Sequence, residues 1–293
     1  MTDILRGFVS IAEGQAHYRS AAWQPPTEIS THPSETLPSL PLWMIHASPS
    51  SSLELSGLMR QLSGSRSCIA PDTLGNGDSA PATPTVPDVA YYADSSLRVM
   101  DALGMERVDL YGSHTGAHIA VEMAIARPDR IRRVILDGIG MFNEETKVEY
   151  LARYAPAVSP DPFGSQFLWA LQFVRDQGWF FPYFKRDVFH LRDVNPAPAD
   201  SLHATVVEVL KAIKTYHHAY RAAFSHRDRE RLPLVTLPSL VMADDTDPLK
   251  AGVQEAASLI PHARAVIVEA AAAADGLSRK SGLINEFLDS PDL

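Results

Sequence analysis

The sequence predicts an α/β fold in which a mostly parallel sheet is flanked by helices and carries an inserted helical cap. Short apolar runs without polar alternation, at 42–46 and 68–70, are typical of strands covered on both faces. These runs alternate with segments of helical spacing, and such alternation favours a parallel sheet with right-handed crossovers. Residues 143–232 instead contain several helical patterns and no convincing strand. We therefore expect a core formed by residues 1–142 and 233–293 and a helical cap formed by 143–232.

The elements of the core follow one another in a regular order. A hairpin is predicted over 8–18, with its turn at Glu13 and Gly14, and a proline-rich connection follows over 24–41. The later elements are predicted as strands at 42–46, 68–70, 108–111, 134–136, 239–242 and 265–268, and as helices at 52–62, 89–103, 115–126 and 251–259.

The cap prediction is supported by many aromatic side chains between 150 and 184. We expect most of them to pack the core of the cap and a few to cover an apolar pocket. These aromatic residues are Tyr150, Tyr154, Phe163, Phe167, Trp169, Phe173, Trp179, Phe180, Phe181, Tyr183 and Phe184.

Composition narrows the class of protein and of partner. The chain of 293 residues is 45% hydrophobic and 21% charged, as in ordinary globular proteins. Its net charge of −9 argues against nucleic acid or an anionic membrane as a partner. A single cysteine, Cys68, excludes an internal disulfide, and the N-terminus lacks the pattern of a signal peptide. We expect a cytoplasmic protein that acts on a small molecule; the sequence does not indicate the oligomeric state.

The segment from Val108 to Ala117 has the pattern of a nucleophile elbow with a histidine at its centre. A hydrophobic strand runs into Gly112-Ser-His-Thr-Gly116, and an amphipathic helix follows. Glycines two residues before and after the central position permit a sharp strand-to-helix turn. The central residue, normally Ser, Asp or Cys, is His114. A strained turn costs about 1 kcal/mol or more, so its retention favours a working histidine over a decayed site in which His114 only fills space.

Four segments together resemble the α/β-hydrolase superfamily over nearly the whole chain. They are the His46-Ala-Ser-Pro-Ser50 loop, the Pro71-Asp-Thr-Leu-Gly-Asn-Gly-Asp-Ser79 segment, the elbow, and the strand and loop from Leu240 to Pro248. The resemblance implies an oxyanion hole formed by the backbone N–H groups of Ser48 and Thr115. It also implies that Asp247 is the acid of the site. Asp72 and Asp78 are expected to brace the oxyanion loop.

The chain departs from the family pattern at two positions. Besides the histidine at the elbow, no histidine follows the last predicted strand, where the family places its general base. His262 precedes that strand and is expected to face solvent. A serine acyl-enzyme mechanism therefore does not follow from the resemblance.

A histidine base needs a carboxylate that orients it. We consider two candidates, Asp247 at the family position and Asp137 at the end of the strand near 134–136, where some family members place the acid. Either of them could instead be a turn or capping residue. The imidazole of His114 is long enough to occupy part of the space of the missing histidine and to reach either carboxylate.

Three other residues are possible substitutes in the chemistry. Ser113 lies beside the elbow position, and His217 or His218 of the cap could reach the pocket as a base. His118, one helical turn after His114, is expected to pack along the helix, and no third ligand is evident nearby in the sequence. No metal site and no cofactor is therefore expected, since dinucleotide and phosphate motifs are absent as well.

The leading hypothesis is an enzyme acting on a small or medium apolar carbonyl compound: an ester, a lactone or a β-dicarbonyl. His114 would activate water against a carbonyl held in the oxyanion hole, without an acyl-enzyme. The same groups would also serve a cofactor-free lyase, decarboxylase or isomerase that removes a proton from a carbon acid. A non-catalytic ligand-binding protein on a decayed hydrolase fold is the remaining alternative.

Overall fold

The computed structural model describes residues 3–22, 39–269 and 275–291. Its strands form one eight-stranded sheet in the order β1-β2-β4-β3-β5-β6-β7-β8. The strands are β1 (Ile4–Ile11), β2 (Gly14–Ala21), β3 (Leu42–Ile45), β4 (Cys68–Pro71), β5 (Val108–Ser113), β6 (Ile131–Asp137), β7 (Ser239–Asp244) and β8 (Ala263–Val268).

The sheet is antiparallel only at one edge. β1 pairs with β2, and β2 with β4, in antiparallel register, whereas β3 to β8 pair in parallel. The predicted α/β fold class is therefore confirmed. The hairpin is longer than predicted, and most of the predicted proline-rich connection, 24–38, lies outside the described residues.

The helices of the core cover both faces of the sheet. They are α1 (Ser56–Leu62), α2 (Val89–Ala102), α3 (Thr115–Ala126), α9 (Val253–Leu259) and α10 (Gly276–Asp289). Buried side chains of α2, α3 and α9 form one apolar cluster, and those of α1 and α10 form another on the opposite face. β3 and β4 lie between the two clusters and are fully buried, which explains their uninterrupted apolar sequence.

β6 begins three residues before the predicted strand. Arg132 and Arg133 belong to it, although two successive arginines are not expected in a central strand. The Arg132 guanidinium makes two hydrogen bonds to Asp109, of 2.9 and 2.6 Å, and Arg133 donates to the Ser290 carbonyl at 2.7 Å. Both guanidinium groups are thus hydrogen-bonded to acceptors distant in sequence. Because hydropathy does not reveal such partners, it placed the start of this strand too late.

A helical segment connects β6 to β7 and packs around its own aromatic core. Its helices are α4 (Glu144–Arg153), α5 (Ser165–Trp179), α6 (Ala199–Lys211), α7 (Tyr216–Ser225) and α8 (Asp228–Arg231), followed by a 3-10 helix at Leu232–Leu234. Tyr150, Tyr154, Phe173 and Tyr183 are buried in this core, as predicted. Phe163 and Phe167 are instead exposed, by 95% and 59%.

No helix within the described ranges is both long and apolar enough to cross a lipid bilayer.

Candidate active site

The turn between β5 and α3 holds His114 in an unfavourable backbone conformation. His114 has φ 49° and ψ −109°, and its N–H donates to the Asp137 carbonyl at 2.8 Å. A Cβ on Gly112 would lie 2.2 Å from the Gly116 carbonyl oxygen, and one on Gly116 would lie 2.3 Å from the Ile45 carbonyl oxygen. Only glycine fits at these two positions, as the sequence pattern indicated.

The side chain of His114 makes an ion pair with Asp247. His114 Nε2 lies 2.8 Å from Asp247 Oδ2, and the Oδ1 atom of the same carboxylate accepts the Leu249 N–H at 2.7 Å. On the other side of the ring, Nδ1 lies 3.1 Å from Ser113 Oγ. The structure therefore brings His114 together with Asp247, one of the two carboxylates that the sequence offered.

Burial and charge act in opposite directions on the imidazole. Burial disfavours the charged form of His114, but the hydrogen bond and the negative charge of Asp247 outweigh it and raise the pKa of His114 to about 9. Burial likewise opposes the charge on Asp247, yet the hydrogen bond from His114 leaves the pKa of that carboxyl lowered. The raised pKa of His114 and the lowered pKa of Asp247 both favour the imidazolium–carboxylate form of the pair at neutral pH.

The alternative carboxylate, Asp137, does not contact the His114 ring. Its Oδ2 atom accepts hydrogen bonds from Tyr111 Oη at 2.5 Å and from Lys280 Nζ at 2.8 Å, and Lys280 also contacts Asp244 at 2.9 Å. Burial lowers the pKa of Lys280, but the two carboxylates outweigh this effect and raise it. The prediction that Asp137 orients His114 is therefore wrong, because a lysine from α10 takes up this carboxylate.

Gly138 makes room for the contact between His114 and Asp247. This glycine has φ +67°, and a Cβ there would lie 2.8 Å from Asp247 Oδ2 and 2.9 Å from His114 Nε2. Any side chain at this position would contact both partners of the ion pair. Sequence reasoning did not single out Gly138, although a glycine two residues after the predicted strand 134–136 was visible.

His114 and Asp247 line a cavity between the sheet and the helical segment. Its volume is about 360 Å³. The His114 side chain is 39% exposed and that of Asp247 is 10% exposed. Ser48 and Thr115 also line the cavity, together with Tyr150, Tyr154, Phe181, Tyr220 and Phe224 of the helical segment. Three of the aromatic side chains named in the sequence analysis, Tyr150, Tyr154 and Phe181, thus line this cavity.

The loop that carries Ser48 is braced by Asp72, as expected. Asp72 Oδ1 accepts the Ser52 N–H at 2.8 Å, and Oδ2 lies 2.8 Å from His17 Nδ1. Burial opposes the charge on Asp72, but the hydrogen bonds from His17 and Ser52 outweigh it and lower the pKa of the carboxyl. Asp78 joins this arrangement through its N–H, which donates to Asp72 Oδ2 at 2.9 Å.

The three residues considered as substitutes for His114 in the chemistry, Ser113, His217 and His218, do not line the cavity. Ser113 is only 5% exposed and reaches the ring of His114 from the strand side. His217 and His218 are half-buried on α7 with their rings 4.3 Å apart. Burial, together with the neighbouring His218 and Arg221, lowers the pKa of His217 to about 4. Predictions that placed either cap histidine in the pocket are wrong, because both lie away from its wall.

His118 has partners that the sequence did not indicate. Its Nδ1 lies 2.6 Å from Asp228 Oδ1, which also lies 2.8 Å from His226 Nδ1. The ligand atoms of these three residues lie within 4.8 Å of one another, a spacing that could also accommodate a metal ion. Neither partner lies near His118 in the sequence, since Asp228 follows it by 110 residues and folding brings α8 against α3.

Comparison with known families decides the classification. The model of the α/β-hydrolase fold family matches residues 41–275. The chain belongs to the α/β-hydrolase fold family.

This α/β-hydrolase aligns with only part of the length of its named relatives. A 2-hydroxymuconate semialdehyde hydrolase from Pseudomonas sp. (strain CF600) is 38% identical over 101 residues, which are 33% of this chain and 36% of the relative. Epoxide hydrolase 3 from Siraitia grosvenorii is 30% identical over 100 residues, 34% of this chain and 32% of the relative. The chain thus aligns with about a third of the length of these curated relatives.

Solved structures of the same fold match almost the whole α/β-hydrolase. The enol-lactonase from Burkholderia xenovorans LB400 superposes with a TM-score of 0.70 at 18% identity, covering 97% of this chain and 100% of that one. A hydrolase from Pseudomonas aeruginosa PA01 gives a TM-score of 0.69 at 18% identity, covering 97% and 98%. At this identity the likeness concerns the fold.

Sequence reasoning also missed a charged residue in the cavity wall of the α/β-hydrolase. Arg192 lines the cavity and donates to the Gln177 carbonyl at 2.7 Å and to the Thr246 carbonyl at 3.2 Å. It lies in an irregular stretch between α5 and α6, where no periodicity separates it from solvent-facing arginines. No signal in the sequence could have identified it.

Proposed function

We propose that the protein is a cofactor-free enzyme that hydrolyses a small or medium apolar carbonyl compound, with His114 as general base. The observation that carries the proposal is the 2.8 Å contact between His114 Nε2 and Asp247 Oδ2 at the wall of a cavity of about 360 Å³. His114 stands where the family places its nucleophile, so the base occupies the reacting position itself. Asp247 orients the ring and does not touch the substrate.

The hydrogen bonds of the ring assign the base to Nδ1. A carboxylate only accepts hydrogen bonds, so in the neutral ring Nε2 carries the proton that faces Asp247. Nδ1 then holds the lone pair, and its neighbour is Ser113 Oγ at 3.1 Å. This contact is within hydrogen-bond range, so water or a substrate group reaches Nδ1 by displacing the Ser113 hydroxyl from the ring.

The hydrolytic step balances with these groups alone. Water transfers a proton to Nδ1 of His114 while its oxygen bonds to the carbonyl carbon, and the electron pair of the C=O bond moves to oxygen. The N–H groups of Ser48 and Thr115 stabilise that oxyanion. Thr115 begins α3, where the first N–H groups have no acceptor within the helix. Collapse breaks the C–O bond of an ester or lactone and expels an alkoxide, or breaks the C–C bond of a β-dicarbonyl and expels an enolate; the leaving group takes the proton back from His114.

The substrate class follows from the walls of the cavity. Tyr150, Phe181 and Phe224 of the helical segment supply apolar surface, and we propose that this segment acts as a cap over the site. Arg192 offers a positive charge to a polar end of the substrate. The relative named for a 2-hydroxymuconate semialdehyde also acts on a carbonyl compound.

A second mechanism has one observation in its favour. Ser113 Oγ, the His114 ring and Asp247 form a continuous chain of contacts, 3.1 and 2.8 Å long, in the order of a serine hydrolase triad. Ser113 is 5% exposed and does not line the cavity, so a substrate carbonyl reaches Oγ only if the turn moves. We therefore favour water activated by His114 over an acyl-enzyme on Ser113.

The deciding experiment compares wild type, His114→Ala and Ser113→Ala on activated esters, lactones and β-dicarbonyls. We expect turnover to fall at least about 10²-fold in His114→Ala and to survive in Ser113→Ala. Reaction in ¹⁸O-water should label the acid product. A product without solvent oxygen would instead identify lyase, decarboxylase or isomerase chemistry by the same base. Ligand binding without turnover in wild type would indicate a binding protein.

A further inference from the structure

We propose that His118, held by Asp228, is a second acid–base residue of the cavity and exchanges a proton with a second oxygen atom of the substrate. This inference rests on the proposed function, because both histidines would act on one substrate in one cavity. It makes the substrate class more specific: a carbonyl compound that also carries a hydroxyl or enol group.

The position of His118 leaves one ring nitrogen for the cavity. His118 lies in the first turn of α3, its side chain is only 4% exposed, and it lines the same cavity as His114. Nδ1 is 2.6 Å from Asp228 Oδ1. Because a carboxylate can only accept hydrogen bonds, Nδ1 carries the proton. Among the described residues Nε2 has no hydrogen-bond partner, which leaves it free for a ligand.

Asp228 belongs to a hydrogen-bonded cluster that continues beyond His118. Asp228 contacts His226 at 2.8 Å, and His226 Nε2 contacts Glu122 at 2.8 Å. Arg231 makes two hydrogen bonds of 2.7 Å to Glu122. Burial lowers the pKa of His226, but the two carboxylates outweigh it and raise this pKa to about 9. His226 and Arg231 thus contact the carboxylates of Asp228 and Glu122, and Nε2 of His118 is left for a ligand in the cavity.

Hydrogen bonding explains the cluster better than a metal ion would. Ligand atoms around a tetrahedral ion with bonds of about 2.0 to 2.1 Å lie about 3.3 Å apart. Asp228 Oδ1 lies 2.6 Å from His118 and 2.8 Å from His226, which are direct hydrogen-bond lengths. A ring that only filled space would also not require a buried carboxylate, since burying a charge is costly.

The proton transfer needs no external reagent. The proton of a substrate hydroxyl or enol moves to Nε2 of His118 and leaves its electron pair on the substrate oxygen. The same proton returns to that oxygen after the carbonyl chemistry at His114. Proton and electron counts are therefore unchanged over the cycle.

The test uses acetylacetone, whose enol carries a second protic oxygen, and 2-pentanone, which has a single carbonyl oxygen. NMR spectra of the full chain labelled at histidine follow the ring resonances during titration with each ketone. The variants His118→Asn and His114→Ala assign the two rings. Asparagine keeps an N–H near the position of Nδ1, opposite Asp228, but has no atom at the position of Nε2, so this variant keeps the cluster together.

We expect acetylacetone to move the His118 resonance towards the imidazolium position, and 2-pentanone to leave it in place. The affinity for acetylacetone should fall about tenfold in His118→Asn, with less than a twofold change for 2-pentanone. His226→Gln is the matched control, because it disturbs the cluster without removing a group from the cavity wall. It should retain the difference between the two ketones.

Three results would overturn the inference. The first is a shift of the His114 resonance alone, with His118→Asn binding acetylacetone as wild type does; the proposed role of His114 would then survive. The second is equal loss of acetylacetone binding in His226→Gln, which would make the cluster merely structural. The third is the absence of any histidine shift with either ketone. Failure of the proposed function would give a different result, because His114→Ala would then retain full turnover on the substrate panel.

Discussion

Two aspartates at the ends of neighbouring strands, Asp137 of β6 and Asp247 after β7, have opposite surroundings. Asp247 lines the cavity and has a titratable partner, His114, at 2.8 Å. Asp137 is 3% exposed, and its carboxylate is taken up by Tyr111 and Lys280. From the sequence both were candidates for the same role, Asp247 at the position of the family acid and Asp137 as the alternative. The difference shows that the end of a strand places a carboxylate near a site, but competing partners decide what it does there.

The largest effect that separates the two aspartates is on catalysis. We expect Asp247→Asn to lower kcat/KM by about 10³-fold, because the amide no longer fixes the tautomer and orientation of His114. Asp137→Asn should retain activity within about tenfold, since its side chain does not contact the ring. Steady-state kinetics on the ester or lactone found active in the substrate panel measure both values.

For stability we expect the reverse order, with Asp137→Asn more destabilising than Asp247→Asn. Asp137→Asn removes one partner of buried Lys280 and leaves Asp244, so the free energy of unfolding should fall by about 2 to 3 kcal/mol, less than for a fully orphaned buried charge. Urea denaturation tests this. Equal catalytic loss in both variants, at full folding, would mean that Asp137 also belongs to the chemistry.

A smaller effect concerns the pH dependence of the reaction. Because the pKa of His114 is raised to about 9, its base form is scarce at neutral pH. We expect kcat/KM to rise about tenfold per pH unit up to about pH 9 and then to level off. An activity that falls above pH 9 would instead make the imidazolium an acid.

The same pH profile separates the two aspartates. Without the charge of Asp247, burial lowers the pKa of His114, so the rise of kcat/KM should move to lower pH in Asp247→Asn. In Asp137→Asn the profile should move much less, because only the longer-range charge of Asp137 acts on the ring. Profiles that move equally would show that direct contact does not set the pKa.

Stability depends on the protonation of the same ion pair. A folded-state pKa above the ordinary value means that the pair stabilises the fold fully below about pH 6.5. This stabilisation is lost as the pH rises through about 9. Thermal unfolding of wild type and Asp247→Asn should therefore differ most below pH 6.5 and converge above pH 9.

Much of this arrangement could be predicted from the sequence, because it depends on local rules. The apolar runs at 42–46 and 68–70 identified buried strands, and the spacing of Gly112 and Gly116 identified the turn that presents His114. The position of Asp247 came from the family resemblance. These signals are local in sequence or carried by a known motif.

The remaining features depend on side chains that are distant in sequence. Lys280 lies 143 residues after Asp137, and Asp228 lies 110 residues after His118. Hydropathy patterns place helices on a sheet but do not determine which polar side chains pair beneath them. The sequence therefore did not reveal which side chains contact Asp137 and His118. It also did not reveal that Arg192 lines the cavity.

The smallest expected effect concerns Gly138, which follows β6. Because it has no side chain, Asp247 can approach His114. Gly138→Ala forces a Cβ to within 2.8 Å of Asp247 Oδ2 and 2.9 Å of His114 Nε2, at a φ of +67°. We expect kcat/KM to fall about tenfold because the ion pair is pushed apart, and stability to fall by about 1 to 2 kcal/mol from the backbone strain.

Gly104→Ala is the matched control for Gly138→Ala. Gly104 also has a positive φ, of 67°, but a Cβ there meets nothing within 4 Å, so the control carries the strain without the contact. If both variants lose similar stability and only Gly138→Ala loses activity, close approach to the His114–Asp247 pair is the cause. Full activity in a folded Gly138→Ala protein would mean that the 2.8 Å contact is not needed for turnover, because the Cβ cannot be accommodated while that contact is kept.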